Sequence, residues 1–285
     1  MTTHDDNLAL VEKYGLKSAS VTQTLRAYLR DTWNRRAFIS ELANASSTQQ
    51  YADSLIGRLW QLFTPILNAG IYYLMFGVLL GTRRGVENYP AFLIAGVFAF
   101  NFMQTTVTSA QNCINKNARL VSAIHFPKLV LPLATIYQQM QQYIVTLGVL
   151  VVLVLATGEP LTWSWLLLPV VIFLQLLFTT GFGLMAARIG ARSRDIGQLL
   201  PFFMRTWRYV SGVFFSITVF TSHLGHGIGQ YLTLNPGAVY LDLLRDVLMQ
   251  TQTVSPSVWV AGVLWSFSFF GLGLVYFFRG ENTYV

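Results

Sequence analysis

Apolar residues in this chain gather into long runs instead of alternating with polar ones. Six stretches reach about 20 residues or more with at most isolated charges, and a helix of that length crosses a hydrocarbon core of about 30 Å. The uncharged run Leu59 to Thr82 predicts span one, and span two runs from about Pro90 to Cys113. Span three follows Pro127 and Pro132 and continues through Ile144 to Ala156. Span four runs from about Trp163 to Ala187, span five from near Leu199 to near Phe220, and span six from about Val258 to Phe278. The expected fold is an all-α integral membrane protein with six transmembrane helices. Residues 1–55 form a cytosolic N-terminal segment and residues 56–285 the six-span domain.

Three shorter patterns are not plain spans. Between Val21 and Trp33 the residues Val21, Leu25, Tyr28, Leu29 and Trp33 share one side of a 3.6-period helix, with Arg26 and Arg30 opposite. This predicts an amphipathic helix lying in the inner interface; packing on cytosolic protein is the plainer alternative. Between spans two and three, Asn117 is a suitable N-cap for a short helix Ala118 to Ile124 that presents Leu120, Val121 and Ile124 before Phe126-Pro127. It is either a plug for a groove on another protein or a simple re-entry turn. The segment Thr221 to Ser257 is too apolar for an exposed loop. Asn235 and Pro236 supply a cap and first helical position, and Leu241, Leu244, Val247 and Leu248 form an apolar stripe opposite Asp242, Arg245 and Asp246. We expect a re-entrant or interfacial helical pair, about Ser216 to Tyr231 and Asn235 to Gln250, shaping a pore mouth or simply resting at the interface.

Composition agrees with this picture. Hydrophobic residues make up 53% and charged residues 11%, roughly half the charged share of a soluble domain. The net charge of +7 reflects basic residues flanking the spans, so membrane topology explains it better than nucleic acid does. Of the 19 cationic residues, 14 fall on the sides expected inside and only Arg83, Arg84 and Arg245 outside, which places both termini in the cytosol. With one cysteine, Cys113, neither an internal disulfide nor a cysteine metal cluster can form. His223 and His226 stand at i, i+3 without a third ligand, so no metal site is expected. The first 50 residues lack the short apolar core of a signal peptide.

Two charges stand out. Arg205 and Arg208 lie six to nine residues into span five, about 9 to 14 Å deep at 1.5 Å per residue. An arginine facing lipid there costs at least about 2.5 to 3.5 kcal/mol, so both should turn inward. On a helical wheel Arg205, Arg208, Gly212 and Phe215 share a face, with Tyr209 and Ser216 at its edge. Guanidinium groups beside aromatic rings suit sugars and a phosphate linker. The structural alternative is that the arginines bind helix carbonyls or reach the inner headgroups. Spans one and two add the aromatics Trp60, Phe63, Tyr72, Tyr73 and Phe76, then Phe92, Phe98, Phe100 and Phe102 around Asn101. No G-x-x-x-x-G-K-[ST] motif, D-x-D pair or G-x-S-x-G elbow is present, and no carboxylate lies within spans one to four or six. A proton-coupled carrier or a membrane hydrolase would normally need such a carboxylate, and if transport is active its energy should come from another subunit.

Several of these motifs together resemble the ABC-2 type membrane permeases, in particular polysaccharide exporters of lipid-linked O-antigen, teichoic acid or cell-wall galactan. The resemblance rests on the interfacial helix before six spans, on Asn117-Ala118-Arg119-Leu120 followed by Phe126-Pro127-Lys128-Leu129-Val130-Leu131-Pro132, on Tyr209-Val210-Ser211-Gly212-Val213-Phe214-Phe215, and on Leu234-Asn235-Pro236 with Arg245 downstream. It implies a homodimer in the bacterial inner membrane with two copies of a separate nucleotide-binding ATPase. That partner would carry the ATP and Mg, and this chain would carry no cofactor. It further implies ATPase coupling through Lys116, Asn117, Arg119, Leu120, Ile124, His125 and Phe126. Phe63, Tyr72, Phe76, Phe202, Arg205, Arg208, Tyr209 and Phe215 would line the substrate channel. The best-matching cargo is a lipid-linked galactan or similar envelope glycan. A small hydrophobic drug, haem or lipid is the alternative, and a passive channel or an integral enzyme on isoprenoid-linked sugars is a rival of another class.

Overall fold

A computed structural model describes residues 24–51, 57–79, 86–124, 126–217 and 232–281. The described residues form helices and connecting turns, with no strand among them. Among the described residues, four helices are long and apolar enough to cross a membrane: α4 (Tyr89–Lys116), α6 (Val130–Ala156), α7 (Leu168–Arg192, entered through a 3₁₀ turn Trp163–Leu167) and α10 (Pro256–Arg279). They match the expected spans two, three, four and six within a few residues, because uncharged run length fixes where a helix can sit in lipid.

The other two expected spans differ from a plain membrane helix. Span one is a composite: a 3₁₀ turn Gly57–Leu59, α3 (Trp60–Tyr72) and a π-helical segment Tyr73–Leu79. Span five was expected to reach Phe220; helix α8 (Arg194–Val210) stops ten residues earlier. The chain turns there at Gly212, whose φ of 67° is a left-handed conformation open to glycine. The apolar residues after Val210 continue the hydrophobic pattern, but residues 211–215 leave the helix as turns and bends, with Val213 and Phe214 buried.

Helix α4 is the hub, buried along most of its length against α6, α7 and α9 (Pro236–Leu248). Gln175 pins the centre of this bundle. Its Nε2 donates to the Ala99 carbonyl at 2.9 Å and its Oε1 accepts from the Tyr143 hydroxyl at 3.1 Å, joining α7, α4 and α6 where no water competes. Helices α7 and α10 cross at glycines: a Cβ on Gly181 would strike the Phe269 carbonyl, and one on Gly273 the carbonyl of Gly181. The opposite face of α10 leaves Val260, Leu264, Phe267 and Leu272 exposed, as a lipid-facing surface requires.

On the N-terminal side, α1 (Leu25–Asn34) begins at Thr24, whose side chain accepts from the Ala27 amide. Arg26 and Arg30 are exposed as expected, and Trp33 is 69% exposed. Tyr28, however, is buried with Cys113, Phe126 and Leu129, so one edge of the amphipathic face belongs to the protein interior. A second helix, α2 (Arg36–Tyr51), follows and lies along α6. Gln50 Oε1 accepts from Gln138 and Gln142, and Asn44 Oδ1 accepts from Gln141. Arg83, Arg84, His125, His223, His226 and most of the expected helix from Ser216 to Tyr231 lie outside the described residues.

Candidate transport seam and docking loop

Helix α8 supplies the centre of the site. Met204 is fully buried on its inner side and Trp207 half-buried, while Phe202, Arg205, Thr206 and Tyr209 are exposed along the outer side. Arg208 sits at the boundary and turns inward. Its Nη1 donates to the Tyr72 hydroxyl at 2.8 Å, and its Nη2 donates to Asn101 Oδ1 at 2.6 Å and Gln104 Oε1 at 2.7 Å. The guanidinium carbon also stands 5.6 Å from the Phe100 ring centroid and 5.9 Å from that of Tyr72. These acceptors are all neutral, so the positive charge is solvated by oriented dipoles and aromatic faces instead of being neutralised.

Phe214, just past the turn, forms a second layer. Its ring stacks on Phe76 at 4.3 Å and meets Tyr72 at 5.1 Å and Tyr209 at 5.2 Å. The structure thus brings Tyr72, Phe76, Arg208 and Tyr209 together in one seam between span one, α4 and the end of α8. Arg205 and Phe202 stand apart on the exposed side, and Phe63 is exposed lower on span one. Gly212 and Phe215 do not share the helical face expected of them, because the helix ends before either. Asn101 and Gln104, which hold Arg208, were missed as site residues; their i, i+3 spacing in an apolar span was the available signal.

Beside the seam, an apolar cleft of about 370 Å³ opens between α7, α8, α10 and the start of α9, lined by Phe178, Phe203, Trp207 and Phe269. On its wall, Trp207 Nε1 donates to Asn235 Oδ1 at 2.8 Å.

The loop between α4 and α6 holds the short helix α5 (Ala118–Ala123). Lys116 and Arg119 are exposed, Ile124 is 51% exposed, and Leu120 and Val121 are half-buried. Asn117 does not cap α5 with its side chain; its Nδ2 donates back to the Cys113 carbonyl at 2.8 Å and so finishes α4. Phe126 is buried, 5.9 Å from Phe38 in an edge-to-face contact, and is unavailable to a partner. The loop's exit is tied at three points. Leu129 N donates to the Tyr28 hydroxyl at 3.1 Å, Lys128 N to Glu281 Oε1 at 3.0 Å, and Lys128 Nζ to the Glu281 carbonyl at 3.1 Å. Partial burial lowers the proton affinity of the Lys128 ammonium, and the Glu281 carboxylate opposes that shift.

Residues 38–249, from the start of α2 to the end of α9, match the family model described as ABC-2 type transporter. The chain belongs to the ABC-2 type transporter family. Its relatives include an O-antigen export system permease protein RfbA from Myxococcus xanthus, 26% identical over 208 residues, which covers 73% of this chain and 78% of the relative. A Klebsiella pneumoniae protein of the same name is 25% identical over 210 residues, with the same coverage on both sides. The ABC-2 match spans the α5 loop, the Arg208 seam and α9, and membership in this family makes the chain a multi-pass membrane component of a transporter.

Proposed function

We propose that this chain is the permease of an ATP-driven exporter for a lipid-linked polysaccharide, acting as a homodimer in the bacterial inner membrane. Six spans with both termini inside best reconcile the four long helices, the composite span one and the shorter α8 with the bias of basic residues. The observation that carries the reading is the seam itself. A guanidinium held by neutral amides, Tyr72, Phe76, Phe214 and Tyr209 offer hydrogen bonds and ring faces together, which a sugar polymer can use repeatedly as it slides. The names of the relatives support a glycan cargo, and the dense Trp and Phe content favours a galactan-like envelope glycan.

In this reading the exposed faces of span one and α8, including Phe63, Phe202 and Arg205, meet the second copy and complete the channel. The α5 loop docks a separate ATPase that binds ATP and Mg. The apolar cleft beside Trp207 favours a second reading, a permease for a small hydrophobic drug, haem or lipid. Deleting the gene separates the two. Export of a polysaccharide predicts lipid-linked polymer accumulating inside the cell and loss of that glycan from the surface; an unchanged surface glycan with altered tolerance of lipophilic compounds would reject the leading reading.

A further inference from the structure

We propose that Arg245 is the positioning residue for the outer end of the passage: it holds the break after α8 open and thereby sets where the aromatic group around Phe214 stands. The inference rests on the reading that the Arg208 seam lies along the transport route. Counted from sequence as an external charge, Arg245 is instead only 2% exposed, inside the bundle.

Backbone that leaves a helix within a membrane bundle keeps its carbonyls satisfied by protein. Gly212, Val213 and Phe214 are three such residues in a row. The Gly212 carbonyl accepts from Nη1 and Nη2 of Arg245, each at 3.1 Å, and the Val213 carbonyl accepts from Nη2 at 3.1 Å. The Phe214 carbonyl accepts from the Tyr89 hydroxyl at 2.9 Å. Arg245 is itself braced: Nε donates to the Phe92 carbonyl at 3.2 Å, the guanidinium lies 3.3 Å over the Phe92 ring, and Asp242 pairs with Nη1 at 3.2 Å.

Room for this fork comes from one residue of α4. A Cβ on Gly96 would strike Nη2 of Arg245, so glycine at 96 and arginine at 245 form a lock and key. Only a planar fork reaches two successive carbonyls while resting on a ring, and a lysine ammonium does not replace it. Because Val213 is fixed, the adjacent Phe214 ring is fixed against Phe76, Tyr72 and Tyr209.

The test is Arg245→Lys and, separately, Gly96→Ala, each in the full chain expressed with its transporter partners. Three quantities are measured in the same cells: the amount of assembled complex, its ATP hydrolysis and surface glycan. The expected result is export reduced about tenfold per assembled complex, the scale of one charge-assisted hydrogen bond, with ATP hydrolysis per complex unchanged. Export that is unaffected, or that falls only in step with the amount of complex down to none of either, would overturn the positioning role. A wild-type complex that moves no glycan would overturn the exporter reading itself.

Discussion

Asn235 Nδ2 lies 3.3 Å from Ser211 Oγ, within hydrogen-bonding distance across the gap between the cap of α9 and the turn that ends α8. The same asparagine receives the Trp207 indole N–H and caps the Gly237 amide, so one side chain binds both elements at once. Together with the Arg245 clasp, this makes the end of α8 and the whole of α9 one mechanical unit.

A cross-link tests that unity. Ser211→Cys with Asn235→Cys, introduced together with Cys113→Ala, puts two thiols where the Ser211 and Asn235 side chains approach to 3.3 Å, and oxidation should join them in the assembled protein. Surface glycan should persist after oxidation. Loss of export that reductant restores would show that the two elements must separate during the cycle.

The two arginines of α8 should behave differently. Arg208→Leu leaves the half-buried Tyr72, Asn101 and Gln104 without their shared donor, and losing a hydrogen bond to a charged group costs about 1.5–3 kcal/mol. The detergent-purified protein should therefore melt at a lower temperature. Arg205→Leu replaces an exposed side chain and should leave the melting temperature near wild type while reducing export. Equal melting shifts for the two variants would refute this division.

Docking should depend on α5. Leu120→Asp with Ile124→Asp puts charge on the apolar residues that the loop presents, and the ATPase should no longer co-purify although the permease still accumulates in the membrane. Phe126→Ala acts through the Phe38 contact instead, so its effect should appear first as reduced stability of the permease. Full ATPase recovery with the aspartate variant would reject docking at this loop.

Glycines give a signed pair. Gly181→Ala forces a methyl against the Phe269 carbonyl where α7 and α10 cross, and overpacking of that kind costs about 1–3 kcal/mol. Gly70→Ala meets nothing within 4 Å and gains helix propensity, so it should be neutral or stabilising by up to about 1 kcal/mol. Thermal unfolding of the two purified variants decides the matter.

The long helices were legible because an uncharged run of sufficient length has few other ways to satisfy its backbone in lipid. The Asn235-Pro236 start of α9 was legible for an equally local reason, a capping side chain followed by a residue that needs no amide partner. The end of α8 was hidden, since Val213, Phe214, Phe215 and Ile217 prolong the apolar pattern past a helix that stops at Val210; Gly212 was the one local hint. Helix α2 was hidden by its polarity, which serves amide contacts with the glutamines of α6. Within the site, the aromatic and arginine residues could be nominated from type and depth. Their grouping around Phe214 and the burial of Arg245 depend on contacts between residues more than a hundred positions apart, or on a turn outside any periodic element.

The clasp joining Tyr28, Lys128 and Glu281 bears on how the protein is handled at the bench. A purification handle fused after Val285, four residues past Glu281, would tug on the backbone that holds Lys128 at the exit of the α5 loop, whereas 27 residues precede Tyr28 and its hydroxyl contact. If the α5 loop docks the ATPase, its recovery with a C-terminally tagged permease reports the slack of the tether as well as the strength of docking, and a long flexible spacer behind Val285 is the arrangement that separates the two.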